Sequence, residues 1–207
     1  MKLFIQKYCT IVPERVISDG HQLLKVDAKE SPEKSVIQTY HELKMNYVKF
    51  FKMDNLSKLA ILASETLLKG TGFYNQDDKN DVAIVLSNAS SSLVTDSNYQ
   101  KTICNPENYF PSPSLFVYTL PNISIGEICI KHKIFGENVF LISRNFDSEL
   151  LYFYVNELFE KTNVKNCITG WIEVNETGYE ALLLLVNKVS NLKNFECEII
   201  NEIYNSK

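Results

Sequence analysis

The sequence has 207 residues, 45% of them hydrophobic and 22% charged, with a formal net charge of −4 at pH 7. This length supports one sizeable hydrophobic core, so we expect a single domain over residues 1–207. The acidic balance gives no broad cationic surface, which removes the electrostatic case for nucleic acid or an anionic membrane as partner. The apolar patch within residues 1–15 is too short and too interrupted for a signal peptide or a membrane span, so we expect a cytoplasmic protein.

The five cysteines are widely spaced and odd in number. They form no CxxC motif and no Cys/His pair of the kind that binds zinc. We therefore expect most of them to be buried, reduced thiols, and we expect neither a metal site nor a cofactor. They are Cys9, Cys104, Cys129, Cys167 and Cys197.

The amino-terminal part of the chain favours strands. Lys2 to Val12 is rich in aromatic and β-branched residues, and Pro13 ends the run, as is typical of a strand. The polar stretch that follows is mainly a connection, in which His21 to Val26 could add a short strand.

Two helices are predicted next. Ser31 before Pro32 marks the start of the first, because proline fits the first turn of a helix. The second begins behind Asp54, where leucine and alanine recur at spacings of three and four, and it should end at Gly70 to Gly72.

A central strand follows at Asp81 to Leu86, which is nearly continuous in apolar residues and is therefore expected to be covered on both faces. Ser87 to Ser92 (SNASSS) then leaves the strand with small polar side chains. Ligand sites of open α/β sheets form at this carboxyl edge of the strands.

The remaining pattern predicts alternating helices and strands up to the carboxyl terminus. Tyr179 to Val189 is strand-like but also leucine-rich enough to be helical. The other expected elements are a helix capped by Asn122, a buried strand at Val139 to Ile142, a helix at Glu149 to Glu160, a strand at Asn166 to Val174 and a last strand at Phe195 to Tyr204.

One stretch indicates a family. Ser114 to Asp147 reads SLFVYTLPNISIGEICIKHKIFGENVFLISRNFD and contains the pattern xLPNxxxGxxxIxxxxxGxN. It resembles the β-ketoacyl synthase branch of the thiolase-like enzymes, in which this pattern leads into a buried strand that is followed by the nucleophilic cysteine. The resemblance extends in order over most of the chain and favours a strand at Tyr179 to Val189.

The resemblance implies an α/β fold: a single thiolase-like half, a five-stranded mixed β-sheet with helices on both faces. Residues 1–207 would then form one β-ketoacyl synthase amino-terminal-like domain. Complete relatives have two such halves with the catalytic site between them, and the resemblance implies that the second half is not among these residues.

The resemblance also places the family's nucleophile position at Asn145, between Arg144 and the residues that start the next helix. An amide cannot carry the acyl thioester, and His21, His41 and His132 do not stand in the family's histidine contexts. We therefore expect no catalytic residue.

Other side chains near this position have simpler interpretations. Ser143 lies on the same side of the strand as Asn145 but has no nucleophile elbow around it. Asp147 and Glu149 are expected to cap a helix, and His132 to lie at a solvated helix end. Arg144 could fill the family's pocket or make a surface contact.

These features favour a non-catalytic partner subunit, similar to chain-length factors, that supports an active β-ketoacyl-ACP synthase in fatty-acid, polyketide or aryl-polyene biosynthesis. Its interface would use Phe116, Tyr118, Val139, Phe140, Leu141 and Ile142, because in the family the strand at Val139 pairs across a two-fold axis. A ketosynthase-like protein would be the partner, with acyl carrier protein contacted indirectly. The alternatives are a divergent acyltransferase acting on acyl thioesters and a stand-alone homodimeric acyl-binding or structural protein.

Overall fold

The structure, a computed structural model, describes residues 2–25, 31–73, 79–190 and 193–207. A mixed β-sheet lies between two layers of helices. The strands are β1 (Phe4–Val12), β2 (Arg15–Ser18), β3 (His21–Lys25), β4 (Val82–Asn88), β5 (Asn138–Ile142), β6 (Asn166–Val174), β7 (Tyr179–Asn187) and β8 (Lys193–Asn194). The helices are α1 (Pro32–Glu42), α2 (Asn55–Leu68), α3 (Leu93–Lys101), α4 (Pro113–Val117), α5 (Ile123–His132), α6 (Ser148–Lys161) and α7 (Cys197–Asn205), and short 3-10 helices cover Val48–Lys52 and Pro106–Asn108.

The sheet is larger than the sequence predicted. Among the described residues it has eight strands in the order β3-β2-β1-β7-β6-β4-β5, with β8 also paired to β1. The mixed sheet and the helices on both faces are confirmed, but the strand number of five is wrong. Five predicted strands lie side by side in the order β1-β7-β6-β4-β5, with β5 at one edge. The strands without a prediction are β2 and the two-residue β8, whose short sequences give little strand signal. The predicted short strand after Gly20 is β3; Val26 lies outside the described residues.

Both faces of the central strands are buried, which explains their continuous apolar sequences. Along β7, Leu183 and Leu185 face the layer of α1, α2 and α5, whereas Leu182 and Leu184 face α6 and α7. A strand places successive side chains on opposite faces, so a leucine run fills two cores at once. This arrangement confirms that the leucine-rich segment is a strand and not a helix.

A β-bulge divides β1 between the two cores. The pairing with β7 shifts register between Ile5 and Lys7, which leaves Gln6 as the extra residue. Ile5 therefore packs with α6 and α7, while Cys9, four residues later, packs on the opposite face.

The helix predicted behind Asp54 is confirmed as α2. The Asp54 carboxylate accepts a hydrogen bond from the Ser57 backbone N–H at 2.9 Å, so it is the amino-terminal cap. The helix ends at Leu68, and Gly70 follows with a φ of 79°, a left-handed conformation that suits glycine.

The strand predicted for the last segment is wrong, because residues Cys197–Asn205 form helix α7. Phe195, Cys197 and Ile199 alternate, which favoured a strand, but the side chains that are buried within α7 are Ile200 and Ile203, at helical spacing. The isoleucines three residues apart give the helix a narrow apolar stripe against the sheet.

His132 is also placed differently from the expectation. It ends α5 but is buried, and its Nε2 lies 3.2 Å from Ser64 Oγ and 3.6 Å from a Glu65 carboxylate oxygen. Burial, with the charges of Lys131 and Lys79, lowers the pKa of His132 from its ordinary value near 6.5 to about 3. The imidazole is therefore neutral in the folded chain at neutral pH.

This burial makes folding depend on pH. Below about pH 6.5 the unfolded chain binds a proton on His132 that the folded chain does not, so stability falls as the pH is lowered. We expect the wild type to lose about 2 kcal/mol more unfolding free energy between pH 7 and pH 5 than His132→Asn. Urea denaturation at both pH values measures this difference, and equal losses in the two proteins would contradict it.

Candidate functional site at the carboxyl edge of the sheet

The loop that follows β5 is tied to the carboxyl end of β4. The two strands are parallel, and the Ser143 backbone N–H donates to the Asn88 carbonyl at 3.0 Å. The Asn88 side chain in turn holds Ser91 through both its amide nitrogen and its carbonyl oxygen, at 2.9 and 3.0 Å. The SNASSS stretch and the loop after β5 therefore lie side by side, because neighbouring parallel strands end at the same edge of the sheet.

The residues at the predicted nucleophile position are open to solvent. Arg144 and Asn145 are exposed, and Ser143 is half-buried. The Ser143 hydroxyl donates to the Asn145 backbone carbonyl at 2.7 Å, so its proton is engaged by the backbone and not by a general base. This arrangement offers no activated nucleophile at these three positions.

The carboxylates after this loop are structural, as predicted. Asp147 Oδ1 accepts from the Leu150 backbone N–H at 2.9 Å and caps α6. Glu149 lies in the first turn, where a negative charge is favourable to the helix dipole.

A buried glutamate holds the loop after β4 from the neighbouring strand. Glu173 on β6 is 7% exposed, and its Oε2 accepts from the backbone N–H groups of Ala89 and Ser90 at 2.7 and 3.2 Å. Glu180 on β7 is its direct cross-strand partner. Two carboxylates therefore lie opposite each other near the carboxyl edge of β6.

Three donors surround Glu180: one from β6, one from α7 and one from Lys207, which follows α7. Its Oε1 accepts from the Trp171 indole at 2.9 Å and from the Tyr204 hydroxyl at 2.8 Å, and its Oε2 pairs with Lys207. Burial, and next the hydrogen bond to Glu180, raise the pKa of Tyr204, which keeps the phenol protonated as a donor. Phe146, directly after Asn145, stacks on the Tyr204 ring with 3.9 Å between centroids.

Sequence reasoning did not select this group. Trp171 is the one tryptophan in the sequence and Glu173 interrupts an otherwise apolar strand, so both were visible as unusual residues. Tyr204 could not be placed beside them, because Phe195 to Tyr204 was predicted to be a strand. No pattern in the sequence placed Lys207.

A second feature of this edge is the free side of β5. Among the described strands β5 is the end of the sheet and pairs with β4 alone. Ser143 donates towards β4, so by alternation the backbone N–H groups of Phe140 and Ile142 point away from the sheet. Val139, Phe140 and Leu141 are half-buried and Ile142 is 53% exposed.

The segment after α3 exposes several large apolar side chains. Phe116 is 59% exposed and packs beside Tyr99, and Phe110 is 75% exposed. Tyr118, in contrast, is buried, and its hydroxyl donates to Glu127 at 2.9 Å. Tyr118, which was predicted to be an interface residue, is therefore not exposed on this surface. The other large apolar side chains exposed between α3 and α5 are Tyr109, Val117 and Leu120.

The described residues contain no group of three His, Cys, Asp or Glu side chains that could hold a metal ion. Within these same ranges no helix is both long and apolar enough to cross a membrane. All five cysteines are free: Cys9 and Cys167 are buried, Cys129 and Cys197 are half-buried, and Cys104 is exposed, contrary to the expectation of mostly buried thiols.

No protein-family model matches the chain, and no curated protein matches it in sequence. Solved structures do match. The ishigamide ketosynthase/chain length factor aligns with a TM-score of 0.69 and 16% identity over 93% of this chain and 64% of the other. A ketosynthase (ApeO) in complex with its chain length factor (ApeC) from Xenorhabdus doucetiae gives 0.59 and 15%, over 91% and 80%.

A third structure, a type II polyketide acyl-carrier protein in complex with its hexaketide-bound ketosynthase, gives a TM-score of 0.61 and 11% identity, over 90% of this chain and 62% of the other. This chain thus spans somewhat less than two thirds of the length of two of the three. Identities this low establish the fold alone. The structural alignments confirm the fold that the resemblance of the LPN segment implied. The chain therefore has the ketosynthase-like, thiolase-like fold of the ketosynthase and chain-length-factor structures.

Proposed function

We propose that the chain is a non-catalytic ketosynthase-like subunit that supports an active β-ketoacyl-ACP synthase in fatty-acid, polyketide or aryl-polyene biosynthesis. The observation that carries this proposal is the unpaired edge of β5, which leads directly into a nucleophile-equivalent loop occupied by Asn145. Residues 1–207 act as one domain in this proposal.

The chemistry of the loop supports a non-catalytic role. A decarboxylating condensation needs a thiolate to carry the acyl group and donors to stabilise the enolate. Asn145 has no thiol that could carry the acyl group as a thioester, and the Ser143 hydroxyl donates to a backbone carbonyl. Arg144 is exposed beside Asn145, so its side chain is available for a surface contact in place of catalysis.

The edge of β5 and the exposed aromatic segment support a protein partner. An edge strand presents free N–H and C=O groups to which another strand can add. Large exposed side chains such as Phe116 and Ile142 supply the buried anchors that dominate interface energies. Val139, Phe140 and Leu141 belong to the same strand and set its register with the partner.

The partner we propose is a ketosynthase-like protein. The matching structures include ketosynthases described with a chain length factor or an acyl-carrier protein. By analogy, the chain would meet acyl carrier protein indirectly, through the ketosynthase that it accompanies.

Co-expression with the ketosynthases of its own genome tests the proposal. We expect a 1:1 complex that survives size-exclusion chromatography with light-scattering detection. A homodimer that takes up no ketosynthase would support the stand-alone alternative and overturn the partner proposal. A monomer under all conditions would overturn both, and a covalent acyl adduct on incubation with acyl thioesters, detected by mass spectrometry, would overturn the non-catalytic assignment.

A further inference from the structure

A cavity lies between the amino-terminal ends of helices α2 and α3, beside the carboxyl ends of β4 and β6. Its volume is about 160 Å³, far more than a single water molecule needs. Ser91 and Ser92 line it from the loop after β4, and Val174 lines it from the last position of β6. The cavity is separate from Arg144 and Asn145, which do not line it.

Lys58 of α2 lines this cavity as a buried cation. The residue is 5% exposed, and its ammonium makes no hydrogen bond to any of the residues that the structure describes. The nearest carboxylate oxygen among these residues is Glu33 Oε1 at 3.8 Å, which is beyond hydrogen-bonding distance. A buried ammonium is costly unless acceptors replace its water shell. Lys58 therefore has unused donors at the cavity.

The two helix starts add backbone donors and a positive potential. The first turn of an α-helix leaves N–H groups without a partner inside the helix. Each helix amino terminus also carries about half a positive elementary charge. Four of these N–H groups belong to residues that line the cavity and have no acceptor within the described ranges: Asn55, Leu56, Val94 and Thr95. Donors from two helices and from a lysine therefore converge on one cavity.

The carboxylates at the cavity do not supply the missing acceptor. Asp54 Oδ1 accepts from the Ser57 N–H at 2.9 Å and Oδ2 accepts from the Thr95 hydroxyl at 2.8 Å, so this carboxylate is held as the cap of α2. The Glu33 side chain is 62% exposed and can turn into solvent. Because Asp54 offsets Lys58, the two helix ends leave a net charge of about +1 for an incoming group.

We propose that this cavity binds one small carboxylate, such as acetate or propionate, with Lys58 as its cation and the helix-start N–H groups as its other donors. The carboxylate takes the place of Glu33 beside Lys58. A doubly charged phosphate fits less well, because Asp54 remains in the wall and repels the second negative charge. Such a site goes beyond the proposed subunit role and does not depend on it.

Acetate is the probe, titrated into isotope-labelled protein at constant ionic strength and followed by two-dimensional NMR. We expect saturable shifts of the four amide signals at the helix starts. Lys58→Met keeps the length of the side chain without its charge, and we expect it to raise the Kd for acetate at least about tenfold. Inorganic phosphate is expected to bind more weakly than acetate, and equal or tighter phosphate binding would overturn the choice of ligand.

Glu33 provides variants that keep the test decisive if Lys58→Met does not fold, because its side chain is exposed. Glu33→Gln removes a like charge from the site, and Glu33→Lys adds a cation. We expect acetate to bind about twofold tighter to the first and about fivefold tighter to the second. A lysine with only a structural role would leave these dissociation constants equal, so equal values, or shifts that do not saturate, would overturn the site. No ketosynthase is involved in these titrations, so failure here leaves the subunit role standing.

Discussion

The Ile142→Pro variant is expected to lose the proposed complex with a ketosynthase while remaining folded. The Ile142 N–H points away from β4, so proline removes a donor that only a partner strand would use. The ring also blocks the approach of that strand. We expect the dissociation constant to rise at least about tenfold, the equivalent of about 1.4 kcal/mol.

Ile142→Val is the control, because it keeps the N–H and a β-branched side chain at the same position. Sedimentation velocity of each variant mixed with the ketosynthase measures the complex, and urea denaturation shows whether the free chain keeps its stability. If Ile142→Pro bound the ketosynthase as tightly as the control, pairing through β5 would be excluded.

Gly170→Ala is expected to destabilise the fold severely, although it adds a single methyl group. Gly170 lies on β6 with a φ of 154°, and an added Cβ would stand 1.9 Å from the Leu182 carbonyl oxygen of β7. The obstacle is backbone in the middle of the sheet, which no rotamer change can relieve. We expect a loss of about 3 to 5 kcal/mol, from backbone strain and overpacking together.

Gly178→Ala is the matched substitution, since the added Cβ would meet nothing within 4 Å. It lies in the turn between β6 and β7 and should change the free energy of unfolding by less than about 1 kcal/mol. Thermal and urea denaturation of the two variants give the comparison. A Gly170→Ala protein as stable as Gly178→Ala would show that β6 and β7 can separate locally at no cost.

The sequence predicted the elements that are long and apolar. Strand β4 was predictable because its burial on both faces requires a continuous apolar sequence. Helix α2 was predictable because the Asp54 carboxylate caps its first turn. Short β2 and β8 were missed because two to four residues cannot establish a period. Their pairing with β1 comes from tertiary contact.

The candidate site was less accessible to sequence reasoning. The loop with Asn145 was predicted because the LPN motif precedes it. Ser143 and Arg144 were predicted with it because they are adjacent in sequence. Tyr204 was not found, because it lies far away in sequence and the alternation from Phe195 imitates a strand. His132 was misjudged for a related reason: flanking lysines indicated solvent, whereas α2 covers the imidazole.

Gly126 shows the same limit on a smaller scale. It is the first glycine of the LPN motif, and an added Cβ there would meet nothing within 4 Å. Gly136, ten residues later, is the tight position, where a Cβ would lie 2.2 Å from the Val82 carbonyl oxygen. Both glycines look alike in the sequence, and only the neighbouring strand distinguishes them.

The open edge of β5 also bears on how the protein is made. Val139 to Ile142 is four apolar, uncharged residues on an edge with no proline or lysine in the strand, which is the kind of segment that nucleates aggregates. In the proposed complex a partner strand would cover this edge, and a chain synthesised in excess of that partner would keep it uncovered. Matched production of the two proteins, for example from one messenger RNA, would then protect solubility as well as set the composition of the complex.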